Sequence, residues 1–368
     1  MKQKQRIIWG LALASTVMLT ASACSSSTAD GTSSADAADG YEIALSMSYS
    51  GNDWQGEAKN LVLAAAQTQP LKDKIAAVDT FVSGTDAQAQ ISQIQQMIAK
   101  AYDAIVIYPI SPTALNNVIK QGCDAGIQMF TYDASVTEPC AHNVTFDQAE
   151  AGKVTAEYLA DLMNNTGNVV LITGVAGTSV DEARTTAAEA VFKERGIEVL
   201  DTCAGDWAQG PAGECMSRFL AAFDNIDGVW AQVGGVAIPD AFDAAGREYV
   251  PMIAESANEY RLRLQDPEYL AKGLVGGSYG APPFQGAAAL SMAVQALEGE
   301  EFPSTIDIGF EWVPQADLKM CATGAIEELE AGCNTFPADL VSTGFMADWW
   351  SPEWTPNISL STLLNVEE

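Results

Sequence analysis

The sequence has few positive charges and almost no histidine. Its 368 residues contain 18 Lys and Arg against 48 Asp and Glu, giving a formal net charge of −30, and His142 is the single histidine. Such an acidic chain repels nucleic acid, so we expect no nucleic-acid partner. The acidity is typical of a well-solvated surface or of adaptation to salt, and it carries little information about a ligand.

The sequence also lacks the residue patterns of a metal site or a hydrolase. No two of the seven cysteines are spaced as C-x-x-C, and one histidine is too few for a histidine-rich ligand set. The segment from Gly276 to Gly280 fits the G-x-S-x-G pattern of hydrolases, but no histidine follows Ser278 to complete a triad in that order. No P-loop or dinucleotide fingerprint occurs. We therefore predict no metal, no cofactor and no enzymatic activity.

The first apolar run, residues 7–19, is too short to span a bilayer. Three positive residues precede it and small residues at 21–23 follow it, which is typical of an export signal, so residues 1–23 are predicted to be a signal peptide. Cys24 comes directly after the cleavage point, where bacterial lipoproteins carry their lipid. Residues 24–40 are rich in Ser, Thr, Ala, Asp and Gly and are predicted to be a flexible tether. We expect a protein anchored by lipid at the extracytoplasmic face of the membrane; ordinary secretion stays open, because the small residues also suit general signal peptidase.

The remaining cysteines form an even set. Assigning Cys24 to the lipid leaves six of the seven (7 − 1 = 6), and even numbers in exported chains favour disulfides. Pairing neighbours along the sequence brackets three short polar or glycine-containing segments. This pairing is one of several open to six cysteines, and it predicts the bonds Cys123–Cys140, Cys203–Cys215 and Cys321–Cys333.

Short apolar runs alternate with helical stretches along the chain. The runs predict strands over residues 42–48, 75–81, 104–110, 128–132, 168–173, 198–202, 228–233 and 250–254. A helix that starts near Asp86 has one apolar face, formed by Ile91, Ile94, Met97 and Ile98. A second helix follows Gly152, and its predicted apolar face consists of Val154, Tyr158, Leu159 and Leu162. Alternation of this kind predicts an α/β fold with parallel sheets. Because about 340 mature residues are too many for one small core, we expect two doubly wound lobes with a ligand cleft between them.

From Tyr41 to about Pro303 the order of segments resembles the type I periplasmic sugar-binding proteins related to ribose-binding protein. The similarity is carried by the segments 50–54 after the first strand, 108–112 after the third, 123–133, 145–148, 174–184, 227–230 and 244–247. The resemblance implies two parallel-sheet lobes joined by a multi-strand hinge. It assigns residues 41–144 and 279–306 to an N-terminal lobe, 145–278 and 307–350 to a C-terminal lobe, and 351–368 to a C-terminal tail.

The same resemblance implies a set of ligand contacts. Asn52, Asp53 and Trp54 correspond to a polar and aromatic wall of the cleft, Asp133 to a strand-end aspartate and Arg184 to the arginine of the second lobe. Trp207 corresponds to an aromatic residue that faces the first wall. Carboxylates, an arginine fork and flat rings suit the hydroxyls and C–H faces of a sugar or polyol. Asp147 is a further candidate, although it is also placed to cap the helix that follows it.

The sequence departs from the ribose-binding pattern in the second lobe. An Asn-Asp pair is replaced at residues 233–235 by Val, Gly and Gly, and a Gly-Phe-Asp-Gly segment is replaced at residues 254–257. Glu255, Ser256, Asn258 and Ser278 are candidates to replace the missing contacts. The candidate acids outnumber the single Arg184, which predicts a neutral sugar or polyol over an amine, and an amine over a sugar acid. Entry of Arg261 or Arg263 into the cleft would remove much of that imbalance.

The function predicted from these residues is ligand capture for an ABC importer. Its partners would be a small-molecule ligand, the transporter permease and, through Cys24, the membrane, and the chain is expected to be a monomer. A receptor that feeds a signalling partner shares the same sequence features and stays open, as does a non-sugar metabolite. A sugar-responsive repressor of this fold would need an N-terminal DNA-binding segment, and the predicted leader occupies that place.

Overall fold

The structure is a computed structural model that describes residues 40–366. The predicted signal peptide, the lipidation site Cys24 and the tether up to residue 39 lie outside the described residues. Within residues 40–366, no helix is both long enough and apolar enough to cross a membrane.

Twelve strands form two sheets of six strands each within the described residues. The strands are β1 (Tyr41–Met47), β2 (Ile75–Val82), β3 (Ala104–Tyr108), β4 (Gln128–Tyr132), β5 (His142–Thr145), β6 (Asn168–Thr173), β7 (Glu198–Ala204), β8 (Gly228–Ala231), β9 (Met252–Glu255), β10 (Gly276–Gly280), β11 (Thr305–Asp307) and β12 (Glu311–Pro314). The first sheet has the order β11-β5-β4-β3-β1-β2 and is parallel throughout. The second has the order β12-β10-β9-β8-β6-β7 and is parallel except for β12. The predicted α/β fold with two parallel-sheet lobes is confirmed, and we call them the first and second lobe.

Helices separate the strands and cover the sheets. They are α1 (Asp53–Ala66), α2 (Ala87–Lys100), α3 (Asn116–Asp124), α4 (Gln148–Leu162), α5 (Ser179–Arg195), α6 (Gln209–Ala222), α7 (Ala237–Ala245), α8 (Asn258–Arg263), α9 (Pro267–Ala271), α10 (Gln285–Leu297), α11 (Ile326–Glu330) and α12 (Leu360–Leu364). Side chains at Asn52, Asp86, Asp147 and Thr178 accept a backbone N–H at the start of α1, α2, α4 and α5. Such caps satisfy donors that a helix leaves free at its first turn.

Both faces of each sheet are buried, as expected for parallel strands. In β1, Ile43 and Leu45 pack in the cluster that contains α1 and α10, whereas Ala44 packs in the cluster that contains α2 and α3. In β6, Val170 and Val169 divide in the same way between two clusters of the second lobe. Because successive strand residues point to opposite faces, near-continuous apolar runs fill both layers.

The helix after Gly152 buries a different face from the predicted one. Within α4 the buried residues are mostly small, while Val154, Tyr158 and Leu162 of the predicted face are only partly buried. Small residues let α4 approach α5 closely: a Cβ on Gly152 would lie 2.3 Å from the backbone oxygen of Arg184. This close contact explains the difference, because close approach of two helices favours small side chains over large apolar ones.

The chain crosses between the lobes after β5, after β10 and between β11 and β12. These positions lie near the predicted crossings, but Tyr279 and Gly280, which were assigned to the N-terminal lobe, belong to β10 of the second sheet. The end of the chain also differs from the expectation of a second-lobe segment followed by a tail. Phe336, Trp349 and Leu363 pack in the hydrophobic cluster of the first lobe, because this segment carries large apolar residues that need a core.

The three predicted disulfides are present in the structure. Cys123 bonds to Cys140, Cys203 to Cys215 and Cys321 to Cys333, with Cα–Cα distances of 6.4, 5.8 and 5.1 Å. Each bond closes a short local loop, as the neighbour pairing predicts.

Candidate functional site

A cavity of about 350 Å³ lies between the lobes at the carboxyl ends of the strands. Tyr108 ends β3 and Asp133 follows β4 in the first sheet, while Gln232 follows β8 and Glu255 ends β9 in the second, and all four line the cavity. Ligand sites of open α/β sheets form at this end of the strands. The volume is at the lower end of the range for small-molecule sites.

Eight of the eleven predicted ligand residues line this cavity. They are Asn52, Asp53, Trp54, Asp133, Arg184, Trp207, Glu255 and Ser256.

The other three predicted residues have contacts elsewhere and do not line the cavity. Asp147 caps α4 by accepting the backbone N–H of Glu150 at 2.9 Å. Asn258 is buried and exchanges two hydrogen bonds with the backbone of Phe336, at 2.8 and 2.7 Å. Ser278 is buried in β10, and its hydroxyl accepts the Nε–H of Arg261 at 3.0 Å.

Trp54 forms one aromatic wall and is fixed by the first lobe. Its ring stacks on Tyr132 with a centroid distance of 6.3 Å and is tilted against Tyr108 at 5.9 Å. Its indole N–H donates to the backbone oxygen of Ala281 at 2.5 Å, within the crossing that follows β10. The wall is therefore positioned by the same backbone that joins the lobes.

Trp207 lines the cavity from the second lobe, where it follows β7. Asp206 and Trp207 both have left-handed backbone conformations, with φ of 52° and 48°, which non-glycine residues seldom adopt. The indole N–H of Trp207 donates to Oε1 of Gln232 at 3.2 Å. A Cβ on Gly174 would lie 2.3 Å from the Trp207 ring, so only glycine leaves room for this orientation. Backbone strain of this kind is typical of functional sites.

Asn52 links the two walls across the cleft. Its Oδ1 caps α1 by accepting the N–H of Gln55 at 2.9 Å, while its Nδ2 donates to the backbone oxygen of Trp207 at 3.0 Å. The structure thus has the two lobes in direct contact at the cavity.

Asp133 of the first lobe and Arg184 of the second lobe are charged residues that line the cavity together. Asp133 has a left-handed backbone, with φ of 58°, and its Oδ1 accepts hydrogen bonds from Gln148 at 3.3 Å and Gln285 at 3.1 Å. Burial raises the pKa of the Asp133 carboxyl, and the charge of Arg184 and the two amides oppose this rise. Arg184 donates through Nε to Gln148 at 2.8 Å, and its Nη2 has no hydrogen-bond partner among the described residues. Arg184 therefore keeps a donor available beside the cavity.

Glu255 provides the acid of the second lobe. Its Oε1 accepts from Nε2 of Gln209 at 2.7 Å, and its Oε2 accepts from the backbone N–H of Gly235 at 3.2 Å. Burial raises the pKa of Glu255, while the backbone amides of Gly235 and Gly234 and the amide of Gln209 lower it. A Cβ on Gly235 would lie 2.7 Å from Tyr260, so the second of the two adjacent glycines permits this close packing.

Arg261 and Arg263, whose entry would have reduced the excess of acids in the cavity, do not line it. Arg261 is fully buried, pairs with Glu311 and donates to the backbone oxygen of Asn334 at 2.6 Å. Arg263 pairs with Asp240 and Glu259, at 2.7 and 3.0 Å. The charged residues that line the cavity are therefore Asp53, Asp133 and Glu255, with Arg184 as the cation.

Several residues that line the cavity were not predicted from the sequence. Tyr108 ends β3, Gln232 follows β8 and Gln209 begins α6. Asp133, which follows β4, has a comparable position and was predicted through the family resemblance. Met346 gave no such signal, because it lies far along the chain from the other cavity residues. Its place depends entirely on how the C-terminal segment packs.

The profile of the periplasmic binding protein domain family matches residues 43–301. The chain belongs to this family. Its resemblance to type I periplasmic binding proteins is confirmed, and the family consists of extracytoplasmic binding proteins that capture a substrate. The chain is 27% identical over 225 residues to the xylitol-binding protein of Mycolicibacterium smegmatis, covering 60% of this chain and 63% of that protein.

Further relatives agree with this membership. The D-ribose/D-allose-binding protein of Pseudomonas aeruginosa is 28% identical over 172 residues, covering 44% of this chain and 54% of that protein. The chain thus spans between about half and two thirds of the length of these curated relatives. The crystal structure of an ABC transporter solute binding protein from Thermobispora bispora is 25% identical, with a TM-score of 0.70 over 75% of this chain and 86% of that one.

Proposed function

We propose that this periplasmic binding protein captures a neutral sugar or polyol between its two lobes and delivers it to an ABC importer. The observation that carries this proposal is that two tryptophans, one from each lobe, line a cavity together with three acids and one arginine. The flat faces of Trp54 and Trp207 suit the C–H faces of a sugar. Carboxylates accept hydrogen bonds from hydroxyls, and the amide of Gln232 and the guanidinium of Arg184 add polar partners.

The charge of the cavity favours a neutral ligand. Asp53, Asp133 and Glu255 face one arginine, and a ligand carboxylate would have to lose its water beside them. Burial of an ion without a matching partner costs several kcal/mol. Relatives named for binding xylitol and D-ribose or D-allose support the same ligand class.

The proposal includes no catalytic step and no cofactor. Ser278, the serine of the G-x-S-x-G segment, lies inside β10 and not at a strand-to-helix turn, and it has no exposed surface. We further propose that Cys24 anchors a monomer to the membrane, where it meets the transporter permease. The export signal in the sequence supports this location.

Isothermal titration calorimetry with matched ligand pairs tests the proposal. The pairs are D-ribose with D-ribonate and xylitol with xylonate, which differ in charge at nearly constant size. We expect at least one neutral member to bind, and to bind at least about tenfold tighter than its acid, equivalent to about 1.4 kcal/mol. A thermal-shift screen of sugars, polyols, sugar acids and nucleosides extends the search, because a ligand of the folded state raises Tm.

Two results would contradict this function. Tighter binding of an acid than of its neutral partner would overturn the charge argument. Binding of a nucleoside in the screen, with no response to any sugar or polyol, would overturn the ligand class.

A further inference from the structure

The C-terminal segment 342–350, here called the strap, lies outside the part of the chain that matches the family profile. It lies between the turn after β9 in the second lobe and α1 in the first, and it contains turns at residues 343–344 and 347–348. Residues that alternate along it face different surroundings: Phe345, Ala347 and Trp349 pack in the first-lobe cluster, while Met346 packs in a second-lobe cluster.

Backbone hydrogen bonds attach the strap to the second lobe. The N–H of Ala347 donates to the backbone oxygen of Ser256 at 2.9 Å, and the N–H of Asn258 donates to that of Phe345 at 2.7 Å. Between them, Met346 and Ala257 form an isolated antiparallel bridge. These bonds fix the depth at which Met346 sits.

Two contacts join the strap to the first lobe. The N–H of Met346 donates to Oε1 of the buried Glu57 at 2.7 Å. Gly344 faces the carboxylate of Asp53 so closely that a Cβ on Gly344 would lie 1.8 Å from Oδ2 of Asp53. A larger residue at 344 would therefore displace an acid that lines the cavity.

The strap also contributes a wall of the cavity itself. Met346 is among the lining residues, and its Sδ lies 3.7 Å from Oγ of Ser256, which lines the same region. The Ser256 hydroxyl donates to Oδ1 of Asp348 in the strap at 2.5 Å, so its proton is engaged within the protein. At this side of the cavity a ligand meets the thioether of Met346 and a Ser256 hydroxyl whose proton is already bonded to Asp348. This wall therefore limits the size of the ligand and offers it little hydrogen bonding.

We propose that the strap is a specificity element, in which Met346 limits the length of the sugar and Gly344 allows Asp53 to reach the cavity. This inference rests on the proposed function, because it concerns which sugars the same cavity accepts. A flexible thioether fills space without a directional bond. Its removal leaves room for an added hydroxymethyl group on the ligand.

The test measures D-ribose and D-allose binding by calorimetry in wild type and Met346→Ala. D-allose is the sugar longer by one hydroxymethyl group. We expect Met346→Ala to change the ratio of the two Kd values about tenfold in favour of D-allose, equivalent to about 1.4 kcal/mol. Met320→Ala is the matched control, since Met320 lies in the same C-terminal part of the chain and is 47% exposed. It is expected to leave the ratio unchanged.

Gly344→Ala provides a second, independent variant should Met346→Ala unfold. We expect it to weaken binding of both sugars at least about tenfold, because Asp53 has to move. An unchanged ratio in folded Met346→Ala, or unchanged affinities in folded Gly344→Ala, overturns the inference while sugar binding by wild type stands. A wild type that binds neither sugar nor any polyol overturns the proposed function, and this inference with it.

Discussion

At the scale of single residues, the cavity depends on glycines that make room for side chains. Gly174 has no direct contact with a ligand in the proposed function, yet the Trp207 ring occupies the space that any side chain at 174 would need. The indole N–H of Trp207 also donates to Gln232, which holds the ring in this place.

We expect Gly174→Ala to weaken binding of the preferred sugar at least about tenfold, because one aromatic wall is displaced and such contacts contribute about 1 kcal/mol or more. Calorimetry measures this loss. Gly56→Ala is the matched control: it lies in α1 near the cavity, and a Cβ there meets nothing within 4 Å. Equal affinities for the two variants would mean that Trp207 is not a ligand wall.

The resemblance to a known family gave candidate ligand residues, several of which directly follow a strand. Trp54 and Asp133 were assigned to the cleft by the family resemblance, and both line the cavity in the structure. Asn258 and Ser278 were misplaced because their partners, Phe336 and Arg261, lie on other elements of the fold, 78 and 17 residues away in the sequence. A polar residue near a strand end can serve the ligand or the core, and the difference is set by long-range packing.

At the scale of elements, capping and ligand binding compete as explanations for polar residues after strands. Asp147 follows β5 in the segment that crosses to α4, and it accepts the N–H of Glu150. It was a ligand candidate by resemblance, but the structure places it outside the cavity lining.

We expect Asp147→Ala to lower the free energy of unfolding by about 1 kcal/mol, the usual cost of a lost N-cap, with no change in sugar affinity. Chemical denaturation and calorimetry on the same preparations check both parts. Asp86→Ala is the matched control, because Asp86 caps α2 in the same way through the N–H of Gln88 at 2.9 Å. A large loss of affinity in Asp147→Ala alone would return Asp147 to the ligand site.

The strands could be predicted more accurately than the helix faces. Each strand predicted from an apolar run is present, and the central strands, such as β3 with all five residues buried, show why, because burial on both sides of a parallel sheet demands such runs. The buried face of α4 was predicted wrongly, since the close contact of Gly152 with α5 replaces large apolar side chains by small ones. Helix-to-helix distance is a property of two elements and is not visible in the pattern of one.

At the scale of the whole molecule, three chain crossings join the two sheets of the described residues. Crossings of this kind permit rotation of one rigid lobe against the other. The hydrogen bond from Asn52 to the backbone oxygen of Trp207 joins the two lobes at the cavity.

We expect saturating sugar to reduce the radius of gyration, because ligand contacts from both lobes favour the closed arrangement. Small-angle X-ray scattering with and without the sugar measures the change. Trp207→Ala at the same sugar concentration serves as the control, since it removes one wall and is expected to stay at the ligand-free value. An unchanged radius in wild type at proven saturation would contradict hinge closure.

The two-lobe architecture was predictable because alternating strands and helices repeat along the chain, whereas the C-terminal part was not. Large apolar residues such as Phe345 and Trp349 gave no period that assigned them to either lobe. Their place is decided by which core has space, which only the folded chain shows.

The strap adds a fourth connection between the lobes, since it is bonded to Ser256 on one side and to Glu57 on the other. Three crossings gathered on one edge leave a lobe free to twist as well as to bend. We expect a fourth connection that reaches α1 to restrain the twist, so that the unliganded protein explores fewer orientations. Less orientational freedom is then lost when the sugar is captured, and a preorganised receptor of this kind gains affinity without a single added contact to its ligand.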